Sequence, residues 1–530
     1  MDLLFYNGVI HTMDDEERVV EAVGVTDGKI TFVGSNEEAA KLEAKEKIDL
    51  EGKLMLPGLI EGHMHLCNYA FTNVNVALFD ATSVEDCLAR AKKFREDNPD
   101  AKWLYCRGWN EDNFTEKRYP TREELDEICP DIPILMTRVC GHVGITNSLA
   151  FDRIAALPEA AKLGDQMVRE SGRLYEDSCQ LYYNILEAPG QEYIKNLMRY
   201  SMKKLNEGGI TQVHPDDFSA VPGTTWKDIM GAYKDLAAND EMTVRIYQQS
   251  LFLRYEDYQE FLAEGNRMGD TYGFYTVGPL KLLQDGALGA KTAALSEPYV
   301  GSEDNYGIVT IPQEGLDQYV LTAQQHGQSV AVHCIGDKAM DMFMDAVEKA
   351  QAACPRDDMR HGIVHVQITT KKILERMAKL GIVAYIQPVF IGYDMTIVED
   401  RIGYERMQDT YAWKTMDDMG ILTVGGSDAP IESFDIMENI YFAVTREKLA
   451  GGPEGGWLPH QKVSVNDAVK MFTTHAAKAR FGENEFGQIK EGFHADLTVL
   501  SDNIYEIDPH EIKNVKAVRT VVAGKTVYEA

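Results

Sequence analysis

His63 and His65 stand one residue apart in the stretch GLIEGHMHL. In an extended strand, residues i and i+2 point to the same face, so both imidazoles can hold one metal ion. A lone HxH pair is a weak signal, because such spacings arise by chance. Four further residues strengthen it. Lys281 lies in TVGPLKLL, His333 in SVAVHC, His365 in GIVHVQ and Asp428 in LTVGGSDAP, all mainly apolar stretches. Four histidines and an aspartate supply the nitrogen and oxygen donors that divalent metals such as Zn²⁺ accept. Taken singly, each residue has an ordinary explanation. His333 or His365 alone reads as a hydrogen-bonded core histidine, Asp428 as a turn residue and Lys281 as a surface lysine. The flanks of Lys281 are apolar, however, and an unpaired buried ammonium deprotonates or acquires a partner. A neutral lysine amine can add CO₂, and the carbamate so formed has two oxygens able to bridge two metals. The joint recurrence of these residue types favours a metal site.

The elements that must position these residues repeat along the chain. An amphipathic helix ends in Gly and a short apolar strand follows, as in LNEGG-ITQVHP, QQHG-QSVAVHC, MAKLG-IVAYIQP and MDDMG-ILTVGGSDAP. Gly after the last helical turn takes the left-handed conformation that stops the helix. Continuously apolar strands are those of parallel sheets buried on both faces. Eight such strands are countable: LMLPGLIEGHMH ending at His65, ITQVHP, residues 243–250, residues 276–283, SVAVHC, residues 362–367, IVAYIQ and LTVGGSD. The fold class is therefore α/β, and the strand number predicts a TIM-like (β/α)₈ barrel over residues 54–483. The candidate ligands fall near the C-terminal ends of its strands, where such barrels carry active sites. No glycine-rich phosphate fingerprint follows any strand, which argues against an open dinucleotide-binding sheet. The long segment between the first two strands predicts an inserted subdomain, residues 66–205, near the active-site mouth. At the two ends, Asp27-Gly28 and Ala523-Gly524 each separate short apolar runs, a hairpin signal. Residues 1–53 and 484–530 are predicted to pair into one small composite β-sandwich domain.

Composition narrows the partners. The 530 residues are 44% hydrophobic and 26% charged, so a packed core is expected rather than disorder. The formal net charge of −31 repels nucleic acid and anionic membranes, and neither is expected as a partner. No apolar run is long enough to span a bilayer, and the first residues do not read as a signal peptide. Eight cysteines without CxxC spacing read as reduced thiols of a cytoplasmic protein.

With this pattern assembled, the chain resembles the amidohydrolase superfamily, whose metal ligands are HxH on strand one, Lys on strand four, His on strands five and six, and Asp on strand eight. LPGLIEGHMHL and GQIKEGFHADLTVL resemble the passages by which that superfamily's chain enters and leaves the barrel. More narrowly, GWNEDNF, GHVGITNSLAF, KLLQDGALGAKTAAL, HCIGDKA, RHGIVHVQ and GSDAP resemble the amidohydrolase 3 group, which includes N-substituted formamide deformylases. One departure is THAA around His475, where Asn is expected before the alanines. His214, at the end of the second strand, is a further oddity that could face the site.

The resemblance implies a metal-dependent amidohydrolase that cleaves an amide, formamide or cyclic amide C–N bond in a small molecule. It implies metal ligands His63, His65, Lys281, His333, His365 and Asp428, with zinc as the expected metal, one or two ions per chain, and carboxylated Lys281 if there are two. No other cofactor is expected. Asp428 is the expected general base, with His365 or His142 stabilising the oxyanion. Trp109, His142, Asn147, Tyr175, Glu176 and Asp337 lie in family-like stretches and are candidate substrate contacts. Asp285 and Asp337 are also candidates for orienting ligands. Homodimers are common in the group. Two other readings use the same residues: a lyase, isomerase or decarboxylase reaction, and a barrel scaffold without catalysis.

Overall fold

The structure, a computed structural model, describes residues 1–99, 101–139 and 143–530. The chain divides into two compact units: Met1–His65, Met202–Asp217 and Lys234–Ala530 form the first, and Leu66–Ser201 and Phe218–Tyr233 the second.

Eight parallel strands of the first unit form a nearly closed barrel. They are β1 (Leu59–Met64), β2 (Ile210–Pro215), β3 (Arg245–Leu251), β4 (Tyr275–Leu283), β5 (Val330–Cys334), β6 (Gly362–His365), β7 (Val383–Ile386) and β8 (Thr423–Gly425). Each is hydrogen-bonded to the next in chain order. Every residue of β1, β2, β6, β7 and β8 is buried, which is why these strands read as apolar runs instead of alternating. The helix stops act as the sequence suggests: Gly381 ends helix Lys371–Leu380 at φ 64°, and Gly420 takes φ 70° before β8.

The barrel closes between β8 and β1 just beyond their strand ladders. Asp428 N donates to His63 O (2.8 Å) and His65 N to Ala429 O (2.8 Å). The approach is close enough that a Cβ on Gly62 would lie 2.5 Å from Gly425 O, so this position requires glycine.

Strands from both ends of the chain meet in one six-stranded sheet, where Leu54–Pro57 pairs antiparallel with Leu497–Leu500. Leu3–Tyr6, Ala22–Thr26, Lys29–Gly34 and Glu46–Asp49 form a separate four-stranded sheet. Phe5, Val23, Ile30, Met55, Leu497 and Val521 share one buried cluster across these segments. Both predicted hairpins form, with Asp27 (φ 49°) and Gly28 (φ 73°), and Ala523 (φ 47°) and Gly524 (φ 73°), at their turns.

The second unit carries a six-stranded mixed sheet with Leu104–Trp109 and Ile134–Arg138 near its middle. Its core includes Leu104, Trp109, Leu125, Ile134 and Ile145. Among the described residues, no helix is long and apolar enough to cross a membrane.

Candidate metal centre

His63 sits near the end of β1 and His65 just beyond it, and both side chains turn to Asp428, which follows β8. Asp428 Oδ1 lies 3.2 Å from His63 Nε2 and 3.0 Å from His65 Nε2. One donor atom from each of the three residues falls within 4.8 Å of the others. The backbone is contorted to achieve this: Asp428 takes φ 61° and His365 φ 86°, sparsely populated conformations for residues with side chains.

The far side of each imidazole fixes its tautomer. His63 Nδ1 donates to Gln249 Oε1 (2.9 Å), whose amide nitrogen is turned to Gly62 O. His65 Nδ1 donates to Asp216 Oδ1 (2.5 Å). With those protons placed on Nδ1, two Nε2 lone pairs and a carboxylate oxygen face one another at 3.0–3.2 Å. Such a convergence is repulsive unless a proton or cation lies within it, so the donor set fits a divalent metal.

A second pair lies alongside. His365 Nδ1 donates to Gln387 Oε1 (2.8 Å), and His333 Nε2 to Gly286 O (3.3 Å). That leaves His365 Nε2 and His333 Nδ1 facing each other at 2.9 Å, again with lone pairs opposed. The His63 and His365 rings are 6.1 Å apart. Lys281 Nζ is buried between the groups, 3.4 Å from His63 Nε2 and 3.1 Å from Asp216 Oδ2.

Electrostatics follow from burial and these carboxylates. Burial lowers the His65 pKa, but Asp216 and Asp428 overcome it and raise it to about 10. His333, half-buried and near Lys281, falls to about 4, and burial takes His365 well below its ordinary value. Burial opposes ionisation of Asp428, yet its neighbours His63 and His65 hold its carboxyl well below the usual range. Glu61, two residues before His63, is pushed up to about 8 by burial; its Oε1 accepts His63 N (3.0 Å) and Ser427 N (2.9 Å).

The six candidate ligands thus gather at one end of the barrel, as two facing clusters with Lys281 among them. The other candidates lie as follows. Asp337 accepts from Ser296 N (2.9 Å) and from the Ser296 hydroxyl. Asp285 accepts Ala294 N, Ile335 N and Gly336 N and lies 3.4 Å from His333 Nε2. These two aspartates clamp the loop after β4 to the end of β5. Trp109 is in the core of the second unit, its indole N–H donated to Met136 O (3.1 Å). Asn147 is buried there and caps helix Ser148–Ala155. Tyr175 ends strand Arg173–Tyr175, and Glu176 (φ 48°) precedes helix Asp177–Asn184. His142 lies outside the described residues. His475 donates to Thr423 O (3.0 Å) behind β8. His214 is buried against Tyr247, with Nδ1 lacking a hydrogen-bond partner.

Sequence reasoning missed Asp216, Gln249, Gln387 and Glu61. Each left a trace: a polar residue within or just past a buried apolar strand needs a partner there. QQS in β3, IQP after β7 and HPDD after β2 all carry that signal.

Comparison with known proteins agrees with this geometry. The amidohydrolase family model (Amidohydro_3) matches residues 46–528. The amidohydrolase YtcJ of Bacillus subtilis (strain 168) is 31% identical over 538 residues, covering 100% of both chains. The N-substituted formamide deformylase of Arthrobacter pascens is 25% identical, covering 100% of this chain and 98% of its own. An uncharacterized metal-dependent hydrolase from Pyrococcus furiosus has the same fold, with a TM-score of 0.81 at 25% identity over 95% of this chain and 100% of that one. On its strand-end histidines and aspartate, its eight-stranded barrel and a family match that spans nearly the whole chain, this protein belongs to the amidohydrolase family.

Proposed function

We propose that this protein is a metal-dependent hydrolase of a C–N bond in an amide, formamide or cyclic amide. The convergence of His63, His65 and Asp428 lone pairs at the barrel mouth carries the reading. The likeness to a formamide deformylase makes N-substituted formamides the first substrates to try.

His63 Nε2, His65 Nε2 and Asp428 Oδ1 would hold one metal, with zinc as the expected ion. Bound there, a divalent metal supplies Lewis acidity, lowering the pKa of a water and polarising a carbonyl. The protein's own contribution is proton handling and orientation. Asp428 Oδ1 is engaged by both histidines, which leaves Oδ2 to accept the proton of the attacking water and pass it to the leaving nitrogen. Gln249 and Asp216 hold the two imidazoles in the tautomer that presents Nε2. In a one-metal site, His365 would donate to the oxyanion through Nε2 once its proton has moved there from Nδ1.

The opposed lone pairs of His333 and His365 would hold a second metal, and a carbamate formed on the Lys281 amine from CO₂ would supply oxygen donors to such a two-metal site. The competing arrangement is a charged Lys281 paired with Asp216. We also read the two terminal sheets as one composite β-sandwich, residues 1–53 and 484–530, on the strength of their shared core.

The test is metal content per chain, measured without chelators or a histidine tag, alongside Asp428→Asn. Two equivalents and a label from bicarbonate on Lys281 support the two-metal site, and one equivalent supports the Lys281–Asp216 pair. Asp428→Asn is expected to keep metal and lose turnover. Full activity in that variant removes Asp428 as the base, and a protein that neither holds nor rebinds metal rules out the hydrolase reading.

A further inference from the structure

The opposite end of the barrel holds a second cluster of charge, built on the buried Arg245 and the half-buried Arg480. Arg245 opens β3 and makes a two-pronged ion pair with Asp496, at 2.7 and 3.2 Å. Arg480 follows helix Thr474–Ala479 and reaches toward the start of the barrel, where its Nη1 donates to Gln212 Oε1. That is its one side-chain hydrogen bond among the described residues. Its Nε is shielded from solvent and has no partner. No carboxylate of the described residues forms an ion pair with it; nearby Glu485 is exposed at the rim. Burial pushes this guanidinium down to about 10, opposed by Tyr247, Asp496 and Glu485, with the Arg245 cation adding to the downward shift.

Aromatic rings cover the guanidinium faces. Arg480 Cζ lies 4.9 Å from the Phe486 centroid and 5.2 Å from that of Tyr247. Arg245 Cζ lies 4.2 Å from the Phe274 centroid and 5.0 Å from that of Phe486. His494 stacks on Phe486 at 4.8 Å. Rings over the faces leave the N–H edges of a guanidinium as its free valence, and those edges match an oxyanion. A cleft of about 330 Å³, lined by Arg245, Phe274, Thr276, Arg480, Phe486 and His494 among others, opens beside them. That volume is within the range of small-molecule sites.

We propose that this cleft at the N-terminal end of the barrel, walled by Phe274 and Phe486 and edged by Arg480 and His494, binds a small carboxylate carried on an apolar body. The Arg480 edge takes the carboxylate, and Phe274 with the edge of Phe486, whose faces already carry His494 and the guanidiniums, takes the apolar body. Arg245, already neutralised by Asp496, shapes the wall. The site is separate from the metal centre and stands whether or not the proposed hydrolase activity is right.

The test uses the full chain as purified. Benzoate, acetate and inorganic phosphate are titrated calorimetrically at constant ionic strength, and hydrogen exchange is followed with and without benzoate. Benzoate is expected to bind at one equivalent and to slow exchange in residues 271–276 and 480–494. Acetate and phosphate are expected to bind about tenfold or more weakly, because neither fills the aromatic walls. Arg480→Gln is expected to weaken benzoate about tenfold or more through loss of the charged donor. Thr271→Trp, at an exposed position on the rim, blocks the cleft without touching its charges and serves if Arg480→Gln fails to fold. Unchanged affinity in the folded variants overturns the proposal. So does protection confined to the strand ends around His63 and Asp428, or no binding at about 10 mM. Phosphate binding as tightly as benzoate overturns the role of the aromatic walls.

Discussion

At the mouth of the barrel, His63, His65, His333, His365 and Asp428 point lone pairs at one another, and carboxylate or side-chain amide partners hold the back of three of them. At the floor, Arg245 and Arg480 are sandwiched by Phe274, Phe486 and Tyr247, with Asp496 satisfying one of the two. Both ends bury polar groups that water would otherwise solvate. The mouth does so with acceptors left facing inward, an arrangement completed by a cation. The floor does so with donors left at an edge, an arrangement completed by an anion. The strands explain the difference. At the mouth they end in left-handed turns at His365 and Asp428 that swing short side chains inward. At the floor, long flexible arginines reach in from a strand start and a helix end, and need ring faces to hold them.

That contrast can be broken at either end. The largest effect expected is at the mouth: Asp428→Asn lowers kcat by about 10²–10⁴-fold while metal content is kept, read by steady-state kinetics and elemental analysis. At the floor, Asp496→Asn strips Arg245 of its partner. A loss of about 3–5 kcal/mol in equilibrium denaturation is expected, with metal content unchanged. A loss of metal in that variant would mean that the two ends are not independent.

A carboxylate near the mouth without a cationic partner sharpens the comparison. Asp394 is buried, its Oδ2 accepting from Tyr411 Oη (2.7 Å) and Gln367 Nε2 (3.3 Å). Burial raises its pKa to about 6 against the opposing Tyr411 bond. A carboxyl raised on folding contributes stability that is full below its unfolded pKa, about 4, and is lost as pH rises through about 6. Asp394→Asn should therefore gain on the wild type by on the order of 2–3 kcal/mol between pH 4 and 7. Equal pH profiles for the two proteins would contradict the assignment. The smallest effect is expected from Asp216→Asn, which frees His65 Nδ1 from its carboxylate. Metal affinity should fall by about 10–100-fold, measured by competition with a chelator.

Much of this molecule is legible from sequence because the signals are local. A glycine stop, an apolar run and a strand-end histidine all fall within a few residues, and strand period alone sets His63 and His65 on one face. The turn chemistry of Asp27-Gly28 and Ala523-Gly524 is local too. Motif likeness selected Trp109 and Asn147, but packing within the second unit determines what they touch.

What tertiary structure alone decided is which polar groups meet. His63 and Gln249 are 186 residues apart, Lys281 and Asp216 are 65 apart, and Arg480 and Gln212 are 268 apart. No periodicity or spacing in one chain encodes such pairs. They exist because closing eight strands brings their ends, and equally their beginnings, into two small enclosures. There each buried polar group must find a partner among residues that the barrel, and not the local sequence, has made its neighbours.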